Sequence, residues 1–220
     1  MRNKVRGYYF VTDSALSLSG NEADIRSAVA CGVTVIQYRN KLSSGGQMYL
    51  ESLRLRALCE HTLFIVNDRL DIALACGADG VHLGQEDVPC SAARKLLGAK
   101  KLIGVTVHDV PEARKAVKDG ADYLAVSPVF ETGTKKDAGR PVGTALISGV
   151  KEFCGAVPVV AIGGINLYNA ADVIRAGADA LCAISCVLTK PDIQTEIRKF
   201  QRLFSNSREE RGDNREQGRH

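Results

Sequence analysis

Asp68, in Val66-Asn67-Asp68-Arg69, and Asp87, in Gly84-Gln85-Glu86-Asp87, each follow a short apolar run. If those runs are neighbouring strands, both carboxylates can reach one cation. One or two carboxylates, with water and phosphate completing the octahedron, are what Mg²⁺ prefers. Taken singly, each aspartate is more simply read as a cap, for the helix starting at Leu70 or the one after Pro89. A second group is Gln37, Arg39 and Lys41. In extended chain, alternate residues face one side. An amide, a guanidinium fork and a point cation would then suit a pyrophosphate and the edge of a heterocycle. A solvated loop would carry the same letters. The third group is rich in glycine and hydroxyls: Thr132-Gly133-Thr134-Lys135-Lys136, Gly163-Gly164 and Ile184-Ser185. Backbone amides that can approach closely at such places suit a single phosphate.

These groups need a scaffold that brings them together, and the chain repeats one phrase that supplies it. An amphipathic stretch ends at a glycine, and an apolar run follows, as in IALACGAD, AVKDGAD and VIRAGAD. The glycine suits the left-handed residue just past a helix. Eight apolar runs read as strands: 8–12, 33–38, 63–67, 80–83, 102–107, 123–127, 157–162 and 180–185. They are apolar on both faces, as parallel strands covered by helices are. Helical segments follow at 21–31, 46–60, 69–76, 90–97, 111–119, 144–154, 168–176 and 192–204. Eight such units in order predict an α/β fold, a compact (β/α)₈ TIM barrel, in preference to an open doubly wound sheet. No GxGxxG follows the first strand to favour the open sheet. In a barrel the C-terminal strand ends form the active face. The polar residues fall there: Thr12-Asp13, Gln37 through Lys41 with Tyr38 and Asn40 among them, Asn67-Asp68, Gly84 through Asp87, Thr106 through His108, and the glycine-rich endings.

Composition narrows the class. A chain of 220 residues, 45% hydrophobic and 25% charged, fits one globular core, which can grow to about 250–300 residues. No apolar run approaches the roughly 18 residues of a membrane span. The opening MRNKVRGYYFVTD passes straight into a strand pattern, so no secretory leader is expected. Seven scattered cysteines without a CxxC pair predict reduced thiols in a cytoplasmic protein, not a zinc site or disulfides. A net charge of +4 is too balanced for a nucleic-acid partner. Small-molecule partners and no membrane are expected, with room for a homo-oligomer. The residues after Phe204, SNSREERGDNREQGRH, carry no apolar side chain. The expected division is therefore a barrel over 1–204 and a disordered polar tail over 205–220.

With these pieces assembled, the chain resembles the thiamine phosphate synthase family over about residues 7–204. The resemblance lies in the order and spacing of YYFVTD, QYRNK, VNDRLDIAL, GADGVHLGQED, IGVTVHD, SPVFETGTKKDAG, VVAIGGI and ALCAIS. It implies a TIM-barrel transferase of thiamine biosynthesis. Such an enzyme joins hydroxymethylpyrimidine pyrophosphate to hydroxyethylthiazole phosphate, plain or carboxylated, and releases pyrophosphate with Mg²⁺ as cofactor. By motif, Gln37, Arg39, Lys41 and Asn67, with Tyr38 and Asn40 beside them, would hold the pyrimidine substrate, and Lys135 its pyrophosphate. Asp68 and Asp87 would bind the metal. Thr132, Gly133 and Thr134 would contact the thiazole, and Gly164, Ile184 and Ser185 its phosphate. Arg39, Lys41, Lys135 and Thr106 would carry the catalysis. Two departures stand out: Thr106 and Val107 stand where the family usually has serine and threonine, and Glu131, in VFETGTKK, falls where family members vary. The related thiazole tautomerases are the alternative, because VFET and His108 resemble theirs. Asp87, Gln37, Lys41 and the TGTK hydroxyls favour the synthase. A non-catalytic phosphate sensor would not need both metal carboxylates.

Overall fold

The computed structural model describes residues 1–134 and 139–216, with side chains of the last helix to Asn206. Eight parallel strands close into a barrel in sequence order. They are β1 (Gly7–Val11), β2 (Val35–Tyr38), β3 (Leu63–Asn67), β4 (Gly80–Leu83), β5 (Leu102–Val107), β6 (Tyr123–Val126), β7 (Val159–Ile162) and β8 (Ala180–Cys182). β8 closes on β1 through Gly7↔Ala180 and Tyr8↔Leu181. Helices alternate with them: α1 (Asn21–Ala30), α2 (Gly45–Leu58), α3 (Leu70–Ala75), α4 (Cys90–Leu97), α5 (Val110–Lys118), α6 (Gly143–Cys154) and α7 (Ala170–Arg175). A short α8 (Ser185–Leu188) and a long α9 (Ile193–Glu216) end the chain. This is the expected TIM barrel.

Burial explains why the strands look apolar throughout. Outward residues such as Phe10, Ile36, Phe64 and Ile103 pack beneath the helices, with Ile25, Leu55 and Phe200 lying over them. Inward residues form a second, separate core of Tyr9, Val11, Val35, Ile65, Tyr123, Val160 and Cys182. The expected end of order at Phe204 is corrected, because α9 continues to Glu216. Extending a formed helix needs no nucleation, and the Arg and Glu residues within 205–216 are good helix formers without any apolar face. Residues 217–220 of the expected tail lie outside the described residues.

The repeated Gly-Ala-Asp phrase has a physical basis at the opposite, N-terminal end of the barrel. The glycines take left-handed backbone, with φ of 68° at Gly77, 94° at Gly120 and 101° at Gly177. Each following aspartate accepts a backbone N–H from the strand before it. Asp79 takes that of Phe64 at 2.8 Å, Asp122 that of Ile103 at 2.9 Å, and Asp179 that of Val159 at 2.7 Å. A helix cation completes each: Arg56 on Asp79, Arg94 on Asp122 and Lys151 on Asp179. These bonds satisfy strand-end groups that would otherwise be unpaired and pin the strands in pairs.

One glycine is required by a side chain. A Cβ on Gly104 of β5 would stand 2.0 Å from Cζ of Tyr123. The tyrosine therefore lies across the barrel interior where that Cβ would be. Gly104→Ala is expected to destabilise by about 1–3 kcal/mol through overpacking, lowering the melting temperature by several degrees. An unchanged thermal melt would show that the ring has room to move.

Candidate active site

At the C-terminal ends of the strands lies a cavity of about 670 Å³. The alternation expected after β2 holds, since Gln37, Arg39 and Lys41 all line it. The intervening residues do not, which corrects their expected role. Tyr38 is wholly buried, and its hydroxyl donates to the Glu51 carboxylate on α2. The Asn40 amide donates to that carboxylate and to Ser43 Oγ, while its oxygen accepts from Leu42 and Ser43 N–H. Both face away from the cavity by the parity that turns their neighbours inward. Their work is to shape the loop that carries Arg39 and Lys41.

Arg39 is gripped by the end of β1. Its Nη1 donates to Asp13 Oδ2 at 2.6 Å, and its backbone N–H donates to Thr12 Oγ1 at 2.9 Å. Asp13 is only 6% exposed, so the pair is well shielded and the guanidinium is held at one height.

Asn67, Asp68 and Asp87 also line the cavity. Asp68 has φ of 61°, the one described non-glycine residue in the left-handed region. Its N–H donates to the carbonyl of His82 at 2.8 Å, tying the end of β3 to β4 beside Asp87. Asp87 Oδ2 accepts from Gly84 N–H at 2.6 Å. Burial pushes the Asp87 carboxyl above the usual carboxylate range; the Gly84 bond opposes that, and the neighbouring Asp68 charge and hydrogen bond add to it. The Lys41 ammonium pairs with Asp68 and partly offsets the repulsion. Two touching carboxylates, one held by a backbone amide, fit a hard divalent cation. No group of three His, Cys, Asp or Glu side chains suited to a metal occurs among the described residues. Two carboxylates are too few for a closed zinc site and would leave most of a hard cation's positions to other oxygen ligands.

The far side of the cavity carries Thr132, Gly133, Thr134, Gly164, Ile184 and Ser185. Lys135 lies outside the described residues. The glycine doublet has a further cause. A Cβ on Gly164 would meet Glu131 O at 2.3 Å, and one on Gly163 would meet Pro128 Cα at 2.6 Å. The close approach these glycines permit is to the loop after β6. His108 lines the rim, with Nδ1 3.0 Å from Glu112 Oε2.

The floor went unnoticed in the strand patterns. Tyr9, His82 and Tyr123 line the cavity from below, together with Thr106. Each polar group there is bonded to the next, from Gln37 through Tyr9, Tyr123 and His82 to Thr106. Tyr9 and Tyr123 sit in runs that read simply as core. A histidine within Gly80-Val81-His82-Leu83 was the available signal.

A closed (β/α)₈ barrel whose rim combines paired carboxylates, cations, hydroxyls and glycines is an enzyme for phosphorylated small molecules. Comparison with known proteins narrows this. The family model described as thiamine monophosphate synthase matches residues 8–187, and the chain belongs to that family. It is 47% identical over 194 residues to the thiamine-phosphate synthase of Methanosarcina mazei, covering 88% of this chain and 80% of that one. It is 49% identical over 204 residues to that of Methanospirillum hungatei, covering 91% and 98%. Its fold superposes on thiamine phosphate pyrophosphorylase from Pyrococcus furiosus with a TM-score of 0.84 and 37% identity, over 93% of this chain and 98% of that one.

The raised Asp87 carboxyl sets the sign of a stability effect. An acid whose folded pKa exceeds its unfolded value favours folding when protonated, and that contribution is lost as pH rises through the raised value. With both carboxylates ionised the metal-free protein carries the repulsion, which a bound divalent cation would relieve. Asp87→Asn is expected to raise the metal-free melting temperature at pH 7 by about 1–3 °C and to abolish its rise with Mg²⁺. A lower melting temperature, or an undiminished response to Mg²⁺, would contradict this.

Proposed function

We propose that this enzyme, a transferase acting on small molecules, joins hydroxymethylpyrimidine pyrophosphate to hydroxyethylthiazole phosphate in a reducing cytoplasm. The observation that carries the reading is one cavity with Asp68, Asp87, Arg39 and Lys41 on one side and Gly164, Ile184 and Ser185 on the other. That division suits a pyrophosphate with its cation on the first side and a monophosphate on the second. All seven cysteines are free thiols, in keeping with the location.

The chemistry demands little proton transfer. The C–O bond to pyrophosphate breaks with its electron pair leaving on oxygen, and the electron-rich aminopyrimidine stabilises the cationic CH₂. The thiazole nitrogen then supplies its lone pair to form the C–N bond, and no proton has to move. Arg39, fixed by Asp13, and Lys41 would hold the departing oxygens, with Lys135 reaching the same group. Asp68 and Asp87 would hold Mg²⁺. When bound, the cation supplies charge neutralisation for the leaving group. Thr132 and Thr134 would orient the thiazole, and the end of β8 would seat its phosphate. His108, paired with Glu112 at the rim, has no step to perform. That is the feature separating this reading from a tautomerase.

Incubated with both substrates and Mg²⁺, the protein is expected to release pyrophosphate and form thiamine phosphate, and to stop when the cation is chelated. Asp68→Ala and Asp87→Ala should each lower kcat by about 10²-fold or more through lost charge stabilisation. His108→Ala should keep most of the activity. Turnover of a thiazole carboxylate tautomer without formation of thiamine phosphate would overturn the assignment. Loss of all activity in His108→Ala would overturn the mechanism.

A further inference from the structure

The floor of the cavity is one continuous hydrogen-bonded chain. Gln37 Nε2 donates to the Tyr9 hydroxyl at 2.9 Å, and the Tyr9 and Tyr123 hydroxyls are 2.8 Å apart. The Tyr123 hydroxyl is 3.0 Å from His82 Nδ1, and His82 Nε2 is 2.9 Å from Thr106 Oγ1. The chain crosses the barrel from β2 to β5. Gln37, Tyr9, Tyr123 and His82 are all at most 7% exposed.

Such a chain has a direction, because each hydroxyl owns one proton. Burial holds both tyrosines protonated, far above the ordinary tyrosine range. Tyr9 accepts from the Gln37 amide, so its proton goes to Tyr123, and that of Tyr123 goes to His82 Nδ1. A neutral imidazole accepting at Nδ1 carries its proton on Nε2 and donates it to Thr106. The Thr106 oxygen is then an acceptor within the chain, and its own proton is left for the cavity. At the other end, one N–H of the Gln37 amide is held by Tyr9, which fixes the amide's orientation, and its Oε1 accepts from no described residue. The two ends thus offer opposite polarity: an acceptor on the β2 wall and a donor on the β5 wall.

We propose that His82 is a positioning residue which, through this chain, selects an amino-substituted pyrimidine over its oxo counterpart. The inference rests on the proposed function and deepens it. An aminopyrimidine presents an exocyclic N–H donor to Gln37 Oε1 and a bare ring nitrogen to the Thr106 hydroxyl. In the oxo form the exocyclic group becomes an acceptor and an adjacent ring nitrogen gains a proton, so the match is lost. A free Gln37 or Thr106 would rotate to suit either ring. Within the chain, rotation of one group leaves a neighbour's donor or acceptor buried and unmatched. The Tyr123 ring, 5.6 Å from that of His82 and confined by Gly104, keeps the links in register.

The test compares kcat/KM for the aminopyrimidine pyrophosphate with that for its oxo analogue, in wild type, His82→Phe and Tyr123→Phe. The amine-over-oxo ratio is expected to fall at least about 10-fold in both variants, with the KM for the thiazole phosphate unchanged. Equal loss on both pyrimidines, with the ratio kept, would mean mere structural support and overturn the inference alone. No wild-type turnover of either pyrimidine would overturn the functional reading and this inference together. If His82→Phe does not fold, Tyr9→Phe cuts the same chain beside Gln37 and the same ratio decides. Nitrogen-15 spectra at pH 7 give a readout free of activity: His82 should show the Nε2–H tautomer, and an Nδ1–H tautomer would refute the proton order.

Discussion

The whole cavity floor depends on a tyrosine ring that occupies the space where the Cβ of residue 104 would be. Because β5 has glycine there, Tyr123 can cross the barrel axis and present its hydroxyl midway between Tyr9 and His82. A side chain at 104 would collide with the ring and its hydroxyl, and the bonds that hydroxyl makes could not keep their present geometry. The inward core below, of Val35, Ile65, Leu102, Val160 and Ala180, gives the ring a dry base. Its hydroxyl is the polar end of an otherwise apolar filling. That is the usual economy of buried tyrosine, an apolar body with one partner-seeking tip.

The two ends of the barrel do different work with the same residue type. At the N-terminal end, Asp79, Asp122 and Asp179 accept strand N–H groups and pair with helix cations, so their charges are spent on holding the strands. At the C-terminal end, Asp68 and Asp87 lie against each other, with a lysine and a backbone amide between them and full repulsion. Asp13 belongs to a third kind. It is buried on the functional rim, yet it serves by fixing Arg39. Carboxylates satisfied by the protein stabilise it, and carboxylates left for a ligand do not.

The barrel was legible in the sequence because both cores leave a mark: outward and inward positions are alike apolar, and a glycine closes most helices. Gln37, Arg39 and Lys41 were legible because their chemistry and parity agree. Tyr38 and Asn40 lie inside the same motif and show its limit, since adjacency in sequence is opposition across a strand. Tyr9 and Tyr123 were illegible because a tyrosine in an apolar run looks the same whether it faces a helix or a ligand. Tyr8 donates to the carbonyl of Ala183 at the outer face, while Tyr9, one residue on, belongs to the hydrogen-bonded chain below the cavity. The helix beyond Phe204 was missed because composition records what a segment can bury, not whether it continues a helix already begun. The glycine doublet suits an approach to an anion, and the tight neighbours Glu131 and Pro128 of the adjoining loop give it a second cause that the sequence does not display.

Asp68 has one more consequence, for anyone redesigning this barrel. At φ of 61° it occupies backbone that glycine adopts without strain. A search for stability alone would replace it with glycine, removing both the strain and a charge crowded against Asp87. With the proposed cation role, stability and activity would pull this position in opposite directions. A library of thermally hardened variants would then trade the carboxylate away, and with it the proposed cation site.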